Sequence, residues 1–77
     1  MVEKLVEHIV KQLVSQPASV MVTSVESDGR CAISIHVAAQ DVARVIGSEG
    51  RIFRAMRTVA AIAGSLKNKE VSVELAQ

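Results

Sequence analysis

Four residues with a glycine at each end, Gly47-Ser48-Glu49-Gly50, are the stretch of this chain best suited to holding a ligand. Glycine takes backbone conformations closed to other residues, and a helix that begins beside one leaves its first backbone N–H groups uncovered. Those N–H groups, with the partial positive charge of a helix N-terminus, suit a phosphate or a carboxylate. In this reading Gly47 ends one helix in a left-handed conformation, and Gly50 removes a side chain where the next helix exposes its first donors. Arg44, Arg51, Arg54 and Arg57 gather around the turn, opposed there only by Asp41 and Glu49. Guanidinium groups fork onto phosphate oxygens and stack on bases, so the chemistry predicted is the holding of a phosphodiester backbone.

The remaining reactive side chains predict no enzyme, no metal site and no cofactor. His8 and His36 stand apart in the pattern, Cys31 is alone, and no pair of carboxylates frames a pocket, so neither nucleophile–base nor metal-assisted chemistry can be assembled. A single cysteine gives neither an intramolecular disulfide nor a Cys-based zinc site, which fits a reducing compartment. Phe53 is the only aromatic residue. RNA-recognition-motif and OB-type proteins stack bases on aromatic platforms, so those two modes are excluded. The net charge of +1 argues against a protein that coats nucleic acid through charge alone, and the basic character is local to the turn. With no signal-peptide core and no stretch of membrane-spanning length, the expectation is a soluble, cytoplasmic protein without membrane association.

Seventy-seven residues suffice for one domain, taken as residues 1–77. Val2, Leu5, Val6, Ile9, Val10, Leu13 and Val14 recur at three- and four-residue steps and predict a helix over residues 2–15, ended by Pro17. Glu7 and Lys11 form an i,i+4 pair on its outer face. Two β-branched runs, residues 20–26 and 31–37, are joined by Ser27-Asp28-Gly29-Arg30, and Asp-Gly is a strong hairpin signal. Alternation in the second run turns Cys31, Ile33, Ile35 and Val37 inward and His36 outward. A short helix over residues 40–46 follows, with Asp41 suiting its dipole, and Gly47 closes it. A longer helix over residues 51–66 presents Ile52, Met56, Val59, Ala60 and Ala63 on one side, and Gly64 with Lys67-Asn68-Lys69 supplies the exit. Val71, Val73 and Leu75 mark a last strand. The order α-β-β-α-α-β, with a long crossover before the last strand, predicts an α+β domain whose mixed three-stranded sheet is covered on one face by three helices.

The stretch from Val37 through Ile46-Gly47-Ser48-Glu49-Gly50-Arg51, continued by Arg54-Ala55-Met56-Arg57-Thr58-Val59, resembles the KH-domain signature. The element order is that of the prokaryotic type II KH fold. The whole chain is similar to the small bacterial single-KH RNA-binding proteins of the KhpA/YlqC family. The resemblance implies that Gly47-Ser48-Glu49-Gly50 clamps the backbone of about four nucleotides of single-stranded RNA, as the KH GXXG loop does. It implies that Val45, Ile46, Ile52 and Ala55 line an apolar groove between the turn, the long helix and the second strand. Arg44, Arg51 and Arg54 would supply charge beside it, with Phe53 as a core anchor. Many KH turns carry Lys or Arg between the glycines; Ser48 and Glu49 stand there in this chain, so the electrostatic affinity expected is modest. The family further implies RNA-level regulation or an RNA-chaperone role with a KhpB-type partner, also called Jag or EloR, and self-association into a homodimer. A protein-interaction or dimerisation module with little RNA affinity is the alternative expectation.

Overall fold

Val6 and Val10 are fully buried, and with half-buried Val2, Ile9, Leu13 and Val14 they form the stripe that lays helix α1 (Val2–Leu13) on the sheet. Residues 2–76 are described in the computed structural model of the chain. The helix stops at Leu13 rather than at residue 15. The backbone N–H groups of Ser15 and Gln16, which one more turn would point at carbonyls four residues back, bond instead to the carboxylate of Asp41. Pro17 opens a short 3₁₀ turn, Pro17–Ser19. Glu7 and Lys11 pair at 3.1 Å, as the spacing predicts.

Strands β1 (Met21–Ser27) and β2 (Arg30–His36) pair antiparallel from Ser27↔Arg30 to Met21↔His36. Asp28 and Gly29 both take positive φ, 49° and 77°, the conformation a two-residue hairpin needs to match the strand twist. Strand β3 (Glu70–Leu75) lies parallel to β2, giving the mixed order β1-β2-β3 with β3 at one edge. Cys31, Ile33, Ile35 and Val73 point from the sheet into the core, so Cys31 is a buried free thiol acting as a small hydrophobe. His36 is exposed on the opposite face.

Between β2 and β3 the chain makes a 3₁₀ turn at Ala39–Asp41, helix α2 (Val42–Ile46), and helix α3 (Arg51–Ser65). The buried face of α3 is Met56, Ala60 and Gly64, with Phe53 packed against them, so Phe53 is part of the core as expected. Ile52 and Val59, predicted on the inward stripe, are 38% and 43% exposed. Toward its C-terminal end the helix lies too close to β3 for any side chain on that face. A Cβ on Gly64 would overlap Val71 Cγ2 and come within 2.9 Å of the Lys69 carbonyl oxygen. Gly64 therefore serves close packing inside the helix, and the exit is made by Asn68. Its φ of 59° is left-handed, with Lys69 N–H bonded to the Gly64 carbonyl and Asn68 N–H to that of Ser65, the pattern of a Schellman cap. The result is the α+β, type II KH architecture, with three helices on one face of a three-stranded sheet.

Candidate nucleic-acid interface

The turn between α2 and α3 is built by two glycines with different jobs. Gly47 donates its N–H to the Ala43 carbonyl at 2.9 Å, which closes α2. A Cβ there would fall 2.6 Å from Ile52 Cγ1, so the bare backbone is what lets the turn lie against the first residues of α3. At Gly50 a Cβ would meet nothing within 4 Å, and the residue is needed for its left-handed φ of 74° and ψ of 13°. Gly47 also has a positive φ, 76° with ψ 178°, so its backbone calls for glycine as expected, and the close approach expected at Gly50 falls at Gly47 instead. Glu49 is left-handed too, at φ 54° and ψ 27°, so Ser48-Glu49-Gly50-Arg51 is a turn of the I′ type closed by Arg51 N–H to the Ser48 carbonyl. Gly50 N–H bonds the Gly47 carbonyl at 3.2 Å. Two of the amides expected to point outward thus already have acceptors within the loop, and the polar groups the turn presents to solvent are mainly side chains.

Those side chains are Ser48, which is exposed, and two arginines drawn onto Glu49. Arg51 Nη2 donates to Glu49 Oε1 at 3.0 Å, both side chains being 72% exposed. Arg54 Nη2 donates to the Glu49 main-chain carbonyl at 3.0 Å. Arg44 turns the other way, with Nε 3.4 Å from Asp41 Oδ1.

Beside the turn runs a cleft of about 380 Å³ between α3 and β3, lined by Arg54, Arg57, Thr58 and Ala61 on the helix and Val71, Ser72 and Val73 on the strand. Consecutive strand residues alternate between faces, so three in a row along one wall means that the cleft looks onto the strand's edge. An edge strand offers main-chain donors and acceptors there. The cleft thus lies against β3 and not against β2, beside which the resemblance puts the groove. Of the predicted lining, Ile46 is 38% exposed next to the turn, whereas Val45 is fully buried in the core. Ile52 and Ala55 lie on the other flank of α3, around a pocket shared with Ile9, Leu13, Met56 and Val59. The sequence groups Arg57 with the arginines around the turn but not with the groove, and gives Thr58 no role, although the spacing 54, 57, 58, 61 puts all four residues on one helical face. Ser72 carried no signal.

Residues 3–75 match the family described as the KH domain of KhpA/KhpB. The chain belongs to the KhpA/KhpB KH-domain family. It is 38% identical over 73 residues to the RNA-binding protein KhpA of Listeria monocytogenes, covering 95% of this chain and 96% of that one. The KhpA proteins of Clostridium perfringens and Bacillus subtilis are 40% and 37% identical over 73 residues, each alignment spanning 95% of this chain and 97% and 90% of theirs. These KhpA relatives bear an RNA-binding name and not an enzymatic one. In this KhpA/KhpB-family chain the Arg-lined flank of α3 and the edge strand meet in one cleft, and Arg54, bonded to the Glu49 carbonyl, connects that cleft to the turn. Among the described residues, no three His, Cys, Asp or Glu side chains gather to hold a metal ion, and no helix is long and apolar enough to cross a membrane.

Proposed function

We propose that this protein binds short single-stranded RNA without catalysis, laying it in the cleft between α3 and β3 with its sugar-phosphate backbone on Gly47-Ser48-Glu49-Gly50. The observation that carries the reading is the division of the cleft's walls. One wall holds Arg54 and Arg57, and the other is a strand edge flanked by Glu70 and Glu74. Phosphates belong on the first wall beside its arginines and bases against the second, where small Ser72, with Ala61 on the helix, leaves room. That the relatives are named RNA-binding proteins supports the same reading. The work is cytoplasmic, in RNA-level regulation or RNA chaperoning, with a KhpB-type protein as partner; a family description that joins KhpA with KhpB supports the pairing. Titration of a mixed-sequence single-stranded RNA at increasing salt tests the mode. Two or three phosphate contacts give a log–log slope of roughly −1.4 to −2.1, and a slope near zero would exclude backbone clamping.

A second observation favours self-association beside RNA binding. Ile52, Val59, Ile62 and Leu66 are 38%, 43%, 59% and 81% exposed, and with Ala55 they follow the three–four spacing of a helix–helix seam. Leu5 of α1 extends the patch. Contiguous exposed apolar surface of this kind marks an interaction site. A homodimer along it leaves the Arg-lined flank of α3 open. Sedimentation over the micromolar range should show a mass that rises with concentration, and Ile62→Asp should hold the protein monomeric. A wild-type monomer throughout would remove the homodimer.

A further inference from the structure

Glu49 concentrates three features that a loop for a polyanion does not need. Its backbone is left-handed at φ 54°, a conformation that glycine or asparagine takes more easily. Its carboxylate holds Arg51 and its carbonyl holds Arg54, so both guanidinium groups nearest the turn are engaged on one residue. A carboxylate on a guanidinium occupies the place a phosphate oxygen would take. Both partners are 72% exposed, and exposed pairs are weak enough to exchange.

We propose that Glu49 is an internal competitor for the RNA backbone: its carboxylate holds Arg51 in the free protein, and an incoming phosphate must displace it. This rests on the RNA-binding reading above and adds to it. Displacement leaves an anion beside the bound strand, so the loop lowers affinity twice, by occupying its own cation and by repelling the ligand. It also hides one phosphate contact from the salt dependence, because an internal pair breaks as the new one forms. The device suits a protein that binds weakly and releases readily.

The test replaces the carboxylate by its neutral isostere, Glu49→Gln, and titrates a short mixed-sequence single-stranded RNA. Binding should tighten about three- to tenfold, and the log–log salt slope should steepen by about 0.7, the increment of one single-strand phosphate contact. Glu7→Gln, on the outer face of α1, changes net charge equally and should leave affinity at the wild-type level. Wild-type binding that Glu49→Gln leaves unchanged, or that Glu7→Gln tightens as much, overturns the competitor and spares the RNA-binding reading. Absence of binding in every variant overturns both. Binding by Glu49→Gln alone is the strongest form of the expected result.

Discussion

Replacing both Ser48 and Glu49 by aspartate should weaken single-stranded RNA binding at least about tenfold, some 1.4 kcal/mol, while leaving the fold intact. Both side chains are exposed, so no core contact is lost. Aspartate tolerates the left-handed backbone at position 49 at least as well as glutamate. The added carboxylate at position 48 replaces a hydroxyl that can donate to a phosphate oxygen with a group that can only repel it. The shorter carboxylate at position 49 stays in the loop. Circular dichroism and Tm serve as the folding control, and the melting midpoint should move little. Unchanged affinity in the folded variant would move the RNA off the turn, and the cleft wall at Arg54 and Arg57 would then have to hold it unaided.

Helix α3 explains why one element carries so much of this protein. Its residues, with Leu66 at the C-terminal cap, form three faces at 3.6 per turn. Phe53, Met56, Ala60 and Gly64 face the core; Arg54, Arg57, Thr58 and Ala61 face the cleft; Ile52, Ala55, Val59, Ile62 and Leu66 face outward beside α1. Cleft and apolar stripe lie on opposite flanks of the core face. A partner on one therefore does not obstruct the other.

The same helix shows where sequence reading reaches its limit. The stripe of α1 was legible because its apolar residues lie on one side only, and the hairpin because Asp28-Gly29 meets a conformational demand few other pairs satisfy. The element order and the family followed from those together with the glycine-framed turn. In α3 several β-branched residues are exposed, and the buried face narrows from Phe53 and Met56 to Ala60 and Gly64 to admit the sheet. Hydrophobic periodicity follows size, so it assigned Ile52 and Val59 inward. Arg57 and Ser72 meet only through the α3–β3 crossing, a juxtaposition that spacing along the chain does not contain. Local turn chemistry likewise marked both glycines, but the close approach of Ile52 at Gly47 and the open space at Gly50 come only from the packing.

Asp41 is the plainest case of a role invisible to local pattern, and its removal should produce the largest loss of stability. The sequence reading placed it for the dipole of the short helix, yet it makes no side-chain cap there. It is fully buried, with Oδ1 accepting from Ser15 N–H at 3.0 Å and Ser15 Oγ at 2.8 Å, and Oδ2 from Gln16 N–H at 3.2 Å. One carboxylate thus ties the end of α1 to the start of α2, the helix that delivers the Gly47 turn. Asp41→Ala leaves those donors without their acceptor and should lower Tm by on the order of 10 °C, as losing a buried charged hydrogen-bond network does in a domain this small. The Ser15 backbone N–H, aided by the Ser15 hydroxyl, the Gln16 N–H and Arg44, holds the Asp41 carboxyl below its ordinary value of 3.8 against the opposing effect of burial. A carboxyl depressed on folding contributes stability that is complete above its unfolded value and is lost as pH falls through its folded one. Wild-type Tm should therefore decline on acidification below the ordinary carboxylate range. Asp41→Asn, lower at neutral pH, should show a shallower decline, so that the two curves converge toward acid. Parallel curves across that window would mean the carboxylate is not what joins the helices, and the turn's position would have to rest on the burial of Val45 alone.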